Sequence, residues 1–240
     1  MVSAQAGGTG PSASTAPPSC FVVDLDDTLY PQADYLAGAA RAVATAVDSS
    51  APDRFYAIMM DELAAGSDRG GTIDRALARA GIYGTTDVQD LVDVFRSYEP
   101  GHLDLYPGVR QALLVLGSLG PVGLLTDGHP RVQRSKIAAL DVGSLFQALV
   151  ITDELPRGRA ARKPAPDGLY KLCELLGAEP RQAMIIGDRP DKDLALAHAV
   201  GARAIRVRQG EYASRDSVPA PLASLDSFPA AVAYLSLLSQ

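Results

Sequence analysis

From Cys20 onward, short apolar runs alternate with longer stretches in which apolar residues recur every three or four positions. The runs CFVVD (20–24), VGLLTD (122–127), ALVIT (148–152), AMIIGD (183–188) and AIRV (204–207) are apolar on both alternating faces, and several end in polar residues. Runs of this kind, separated by helical patterns, predict parallel strands buried on both sides and joined by crossover helices. The spacing places those crossovers at 107–119, 130–140, 165–177 and 191–200. Pro107, Pro130, Pro164 and Pro190 stand near their starts, where a missing N–H does least harm. Gly120, Gly177 and Gly201 suit left-handed residues at helix ends. The expected architecture is a doubly wound, Rossmann-like α/β sheet.

One long stretch breaks the alternation. Residues 32–104 contain no strand pattern but several amphipathic helices: Leu36, Ala40, Val43 and Val47 share one face, as do Leu91, Val94, Phe95 and Tyr98. Thr86 and Gln89 have capping-box spacing at the start of the last helix. An all-helical insert after the first strand predicts a cap domain at 32–104, hinged near YPQ (30–32) and LDLYPG (103–108). The α/β core is then expected at 20–31 and 105–240. The first 19 residues, MVSAQAGGTGPSASTAPPS, lack the positive start and apolar centre of a secretory signal and read as a disordered tail.

Composition narrows the picture without deciding it. With 240 residues, 47% hydrophobic and 21% charged, the chain can bury a full core. Its net charge of −6 argues against a broad nucleic-acid footprint, though not against a local positive pocket for an anion. Cys20 and Cys173 read as small buried hydrophobes in a reducing compartment, so a cytoplasmic location is expected. No apolar stretch approaches the ~18 residues of a membrane span.

In an open α/β sheet, ligands bind at the carboxyl ends of the strands. Here those ends carry Asp24 and Asp26, then Thr126, Asp127 and Gly128, then Asp188, with Lys163 opening a helix before the fourth strand. Carboxylates, a hydroxyl, backbone amides and one ammonium gathered in this way suit Mg²⁺-assisted phosphoryl transfer. A carboxylate can attack phosphorus and split one displacement into two easier steps. A second carboxyl group, two residues on, can protonate the leaving oxygen and later activate water. Mg²⁺ prefers hard oxygen ligands and offsets the repulsion between anionic nucleophile and anionic substrate.

These segments, DLDDT, LLTDG, RKP and IGDRPDKD in that order, resemble the four motifs of the haloacid dehalogenase superfamily, in the subgroup with a helical cap after the first strand. The resemblance covers nearly everything from residue 20. It implies Asp24 as nucleophile, Asp26 as general acid and base, Thr28 as a loop support, and phosphate binding by Thr126 and the backbone at Asp127 and Gly128. Lys163 would orient and neutralise nucleophile and phosphate. Asp24, the Asp26 carbonyl and Asp188 would hold Mg²⁺, with Asp193 supporting them from behind. Asp127 departs from the asparagine most relatives carry: its carboxylate either points away, leaving only its amide in use, or pairs with a cation such as Arg131 or Arg134.

The acid/base residue at Asp26 favours phosphate-ester chemistry over dehalogenation. The expected function is a phosphatase acting on a small phosphomonoester, a sugar or polyol phosphate, through an aspartyl-phosphate. A phosphomutase or nucleotide monophosphatase of the same fold is the near alternative, and a non-catalytic phosphate-binding scaffold is the alternative of another class. Substrate choice is expected to come from the cap, where Arg54, Arg69, Arg75, Arg96, His102 and the loop GSDRGGT (66–72) are the candidates.

Overall fold

A computed structural model describes residues 17–84 and 86–239; most of the expected tail, residues 1–16, lies outside them. The chain divides into two compact units, one containing 17–30, Leu105–Gly128 and 142–239, the other Pro31–Asp104 and His129–Asp141.

The first unit is built on a parallel sheet of six strands: β1 (Cys20–Val23), β2 (Val122–Thr126), β3 (Ala148–Ile151), β4 (Ala183–Gly187), β5 (Arg203–Val207) and β6 (Ala223–Leu225). Their order is β3-β2-β1-β4-β5-β6. This is the doubly wound order, and its reversal between β1 and β4 opens a crevice at their carboxyl ends. Every residue of β1, β2 and β4 is buried, which explains why these strands read as unbroken apolar runs. One core cluster joins Val22, Leu125, Val150, Ile185 and Ala204 of the sheet to Leu169, Leu172, Leu194 and Leu196 from the following helices. A Leu→Ala change at such a site typically costs about 2–5 kcal/mol. Cys20 and Cys173 are both buried here, with sulfurs 4.0 Å apart and no disulfide between them.

The second unit holds α1 (Gln32–Val47), α2 (Pro52–Ala64), α3 (Thr72–Ala80) and α4 (Val88–Ser97). Ala40, Val43, Phe55, Met59, Ile73, Leu77 and Leu91 form its core, with Leu36, Val47, Val94 and Phe95 packed partly buried against it. The expected cap at Thr86 is displaced by one residue. Asp87 starts α4 instead, its Oδ1 accepting the Gln89 N–H at 2.8 Å, because a carboxylate two residues back reaches that donor directly.

The remaining helices are α5 (Val109–Leu119), α6 (Pro130–Leu140), α7 (Asp167–Leu176), α8 (Ala195–Val200) and α9 (Phe228–Leu238). Helix α6, read from sequence as an ordinary crossover, groups with the cap helices and packs on α4. Gly177 and Gly201 end their helices in the left-handed region, whereas Gly120 is extended. Strand β6 and helix α9 went unread in the sequence. The three-residue ASL strand is too short to show a period, and it is only partly buried. No helix among the described residues is long and apolar enough to cross a membrane.

Candidate active site

The site grows from the end of β1. The Asp24 N–H continues the sheet ladder, donating to the Ile186 carbonyl at 3.0 Å, so Asp24 leaves the strand in a fixed direction. The chain then turns back on itself, with the Leu29 N–H bonded to the Leu25 carbonyl at 3.0 Å and both leucines fully buried. Buried apolar residues thus anchor the turn that carries Asp26 and Asp27.

Lys163 is the electrostatic centre. Its Nζ lies 2.7 Å from Asp24 Oδ1 and 2.7 Å from Asp193 Oδ1, and donates to the Leu125 carbonyl at 3.4 Å. Burial alone would lower its pKa, but the carboxylates of Asp193, Asp24 and Asp127 outweigh that and hold it above the ordinary lysine value. These carboxylates therefore favour the ammonium form. Asp193 is fixed on both oxygens, since its Oδ2 also accepts the Arg189 N–H at 3.0 Å. Gly187 makes this possible, because a Cβ there would overlap the Asp193 carboxyl group.

Carboxylate oxygens of Asp24, Asp188 and Asp193 all lie within 4.8 Å of one another, and all three residues are buried. Burial pushes the Asp24 carboxyl up to about 7, with Asp193 and Asp26 adding to the rise and Lys163 opposing it. Burial, then the neighbouring Asp24, Asp193 and Asp27, raise Asp188 well above the carboxylate range. Three carboxylates against one ammonium leave an excess of negative charge out of water, which a hard dication would offset. The donor set fits Mg²⁺. With both Asp193 oxygens already bonded, Asp24 and Asp188 are better suited to bind the metal directly, and Asp193 to support them through Lys163.

The other expected residues fall around this centre. Thr28 Oγ1 donates to Asp188 Oδ1 at 3.5 Å, a long bond between the first and fourth strand ends. Thr126 is the last residue of β2 and buried, and Gly128 takes a φ of 138°, which only glycine adopts readily. Asp127 points its carboxylate towards the Lys163 segment. Its Oδ1 accepts from Thr152 Oγ1 at 2.9 Å and from the Lys163 N–H at 3.1 Å, while Oδ2 lies 3.2 Å from Lys192 Nζ. The side chain thus pairs with a cation, and that cation is Lys192.

Two contributors escaped the sequence reading. The buried Tyr30 hydroxyl donates to Asp26 Oδ1 at 2.6 Å and so orients that carboxyl group. Its position four residues after Asp26, in a tight turn, was the available signal. Lys192 is the other; nothing in GDRPDKD singles it out, and only the fold brings it to Asp127. Of the cap candidates, Arg75 is already committed, its Nε bonded to Glu62 Oε2 at 2.6 Å.

Comparison with known proteins agrees with this fold. Residues 18–201 match the family model of the haloacid dehalogenase-like hydrolases. The chain is 30% identical to a phosphoglycolate phosphatase from Chromobacterium violaceum, over 83% of this chain and 88% of that one. It is 28% identical to a glyceraldehyde 3-phosphate phosphatase from Methanopyrus kandleri, over 79% and 83% of the two chains. Among solved structures, a HAD-hydrolase, YfnB from Bacillus subtilis, bound to magnesium, superposes with a TM-score of 0.71 at 17% identity, covering 92% of this chain and 99% of that one.

Proposed function

Because the chain belongs to the haloacid dehalogenase-like hydrolases and is a phosphoric monoester hydrolase, we propose that it is a Mg²⁺-dependent phosphatase of a small sugar or polyol phosphate, working through an aspartyl-phosphate at Asp24. The observation that carries this reading is the ammonium of Lys163 held 2.7 Å from both Asp24 and Asp193, beside Asp188. A carboxylate so placed is oriented for attack and cannot lose its counter-charge near neutral pH.

In the proposed cycle an Asp24 oxygen attacks phosphorus as the bond to the ester oxygen breaks. Asp26, protonated and held by Tyr30, delivers its proton to the departing alkoxide. The resulting carboxylate then takes a proton from water, which attacks the phosphorus of the aspartyl-phosphate and releases phosphate and Asp24. Thr126, the amides at Asp127 and Gly128, and Lys163 bind the phosphoryl oxygens. Mg²⁺, held by Asp24, Asp188 and the Asp26 carbonyl, would supply charge neutralisation to nucleophile and phosphoryl group.

The named substrates of the two similar phosphatases are small phosphorylated acids and aldehydes, which supports a small metabolite here. A panel of phosphoglycolate, glyceraldehyde 3-phosphate, other sugar and polyol phosphates, and nucleotide monophosphates tests the reading in Mg²⁺ buffer. Release of inorganic phosphate from one of the small esters is expected. Isomerised sugar phosphate without free phosphate would indicate a mutase, and no turnover of any ester by folded protein would revive the scaffold alternative.

A further inference from the structure

Asp27, between the proposed acid/base and Thr28, has no part in the chemistry above, yet it is buried with its backbone in the left-handed region at φ 53°. A non-glycine residue in that conformation is held there by its surroundings. Its Oδ2 accepts the backbone N–H of Glu211 at 3.0 Å, across 184 residues of sequence. Gly210 permits the approach, since a Cβ at that position would overlap the Asp27 carboxyl group.

The segment on the far side of this bond, the connection from β5 to β6, is itself pinned. Arg206 of β5 is fully buried and donates through Nη1 to the Arg215 carbonyl at 2.5 Å and Ser217 Oγ at 2.7 Å, and through Nη2 to the Tyr212 carbonyl at 2.7 Å. The Tyr212 ring lies 4.0 Å from the guanidinium of Arg189, the residue after Asp188, and 4.3 Å from that of Arg215. One connection therefore touches both the turn that carries Asp24 and Asp26 and the turn that carries Asp188. A solvated surface loop would need neither a buried arginine on its carbonyls nor a glycine shaped to admit an aspartate.

We propose that Asp27 is a positioning residue: the β5–β6 connection braces it through the Glu211 amide, and it thereby fixes the Asp24–Asp26 turn against the Asp188 turn. The proposal rests on the phosphatase reading for its effect on turnover, but not for the tie itself. Asp27→Gly keeps the left-handed backbone without strain while removing the acceptor and its charge. Asp27→Asn removes the same charge but keeps both an acceptor and tolerance of that conformation, so it separates the tie from the charge.

The test measures steady-state kinetics on the best ester, melting temperature, and hydrogen exchange of the Glu211 amide in the full chain. In Asp27→Gly, kcat is expected to fall by about tenfold or more with KM within about twofold. Its melting temperature should stay at or above wild type, and the Glu211 amide should exchange about tenfold faster. Asp27→Asn should recover most of kcat. Wild-type kcat in Asp27→Gly, unchanged exchange at Glu211, or an Asp27→Asn variant as impaired as the glycine one would each overturn the proposal. A wild-type chain inert on every ester, with the exchange difference intact, would instead sink the phosphatase reading and leave the tie standing.

Discussion

The two units each hold a charge triad, and the triads are of opposite polarity. In the sheet unit one ammonium, Lys163, sits between the carboxylates of Asp24 and Asp193, with side chains 2%, 9% and 1% exposed. In the helical unit one carboxylate, Glu62, sits between Arg75 at 2.6 Å and Arg79 at 2.9 Å, with the arginines 31% and 47% exposed. Their titration shifts point in opposite directions. Hydrogen bonds from Arg75 and Arg79 lower the Glu62 pKa, so its ionised form is favoured by folding. Burial raises Asp24 and Asp188, so their ionised forms oppose folding. The helical triad is arranged for stability, and the sheet triad holds unfavourable charge at the proposed metal and phosphate site.

The sharpest way to break this contrast is to neutralise Asp24, the proposed nucleophile. Asp24→Asn is expected to reduce phosphate release by about 10³-fold or more while raising the melting temperature of metal-free protein at pH 8. Linkage fixes the sign of the second effect. A carboxyl raised from 3.8 to about 7 withdraws stability as pH climbs through that window, and asparagine removes the contribution. An Asp24→Asn protein that is less stable than wild type above pH 7 would contradict the assignment of unfavourable charge to this site.

Metal binding sharpens the same point. EDTA should abolish turnover and added Mg²⁺ restore it, with Mg²⁺ raising the melting temperature as a ligand of the folded state alone. Because Asp24 must lose its proton to bind the ion, Mg²⁺ affinity measured by calorimetry should weaken as pH falls below about 7. A pH-independent affinity between pH 5 and 8 would count against Asp24 as a ligand.

A smaller effect is expected at Lys192. Lys192→Met leaves the Asp127 carboxylate without the ammonium 3.2 Å away, so the phosphate loop gains negative charge and KM should rise by about tenfold with little change in kcat. An unchanged KM would show that Asp127 needs no such partner. The smallest effect belongs to the helical triad. Glu62→Gln should lower the melting temperature at pH 7 by a few degrees and converge with wild type on the acid side, leaving kcat within about twofold. In wild type the Glu62 contribution is present above its ordinary value of 4.5 and fades as pH falls through its lowered value. A melting temperature for Glu62→Gln equal to that of wild type at pH 7 would remove the contrast between the triads.

Much of the sheet was legible because burial on both faces leaves continuous apolar runs such as VGLLT and AMIIG, and because strand ends are where ligands bind in this topology. Asp24 and Asp188 stood out for that reason, and Lys163 as an ammonium opening a predicted helix before the fourth strand. What was not legible depends on tertiary approach. The bond from Asp27 to Glu211 spans 184 residues and that from Asp127 to Lys163 spans 36, and no local pattern encodes either. Helix α6 had the period of a crossover, yet its grouping with α4 depends on which neighbour covers its apolar face. Strand β6 failed on length, since three residues are too few to establish a period.

The central claim is covalent, that the phosphoryl group passes through Asp24. Its most direct test is a borohydride quench during turnover of the best ester, followed by peptide mass spectrometry. Reduction of an aspartyl-phosphate converts the residue to homoserine, so homoserine at position 24, dependent on substrate, is the predicted result. Rapid phosphate release with unmodified Asp24, or with homoserine at another aspartate, would contradict it.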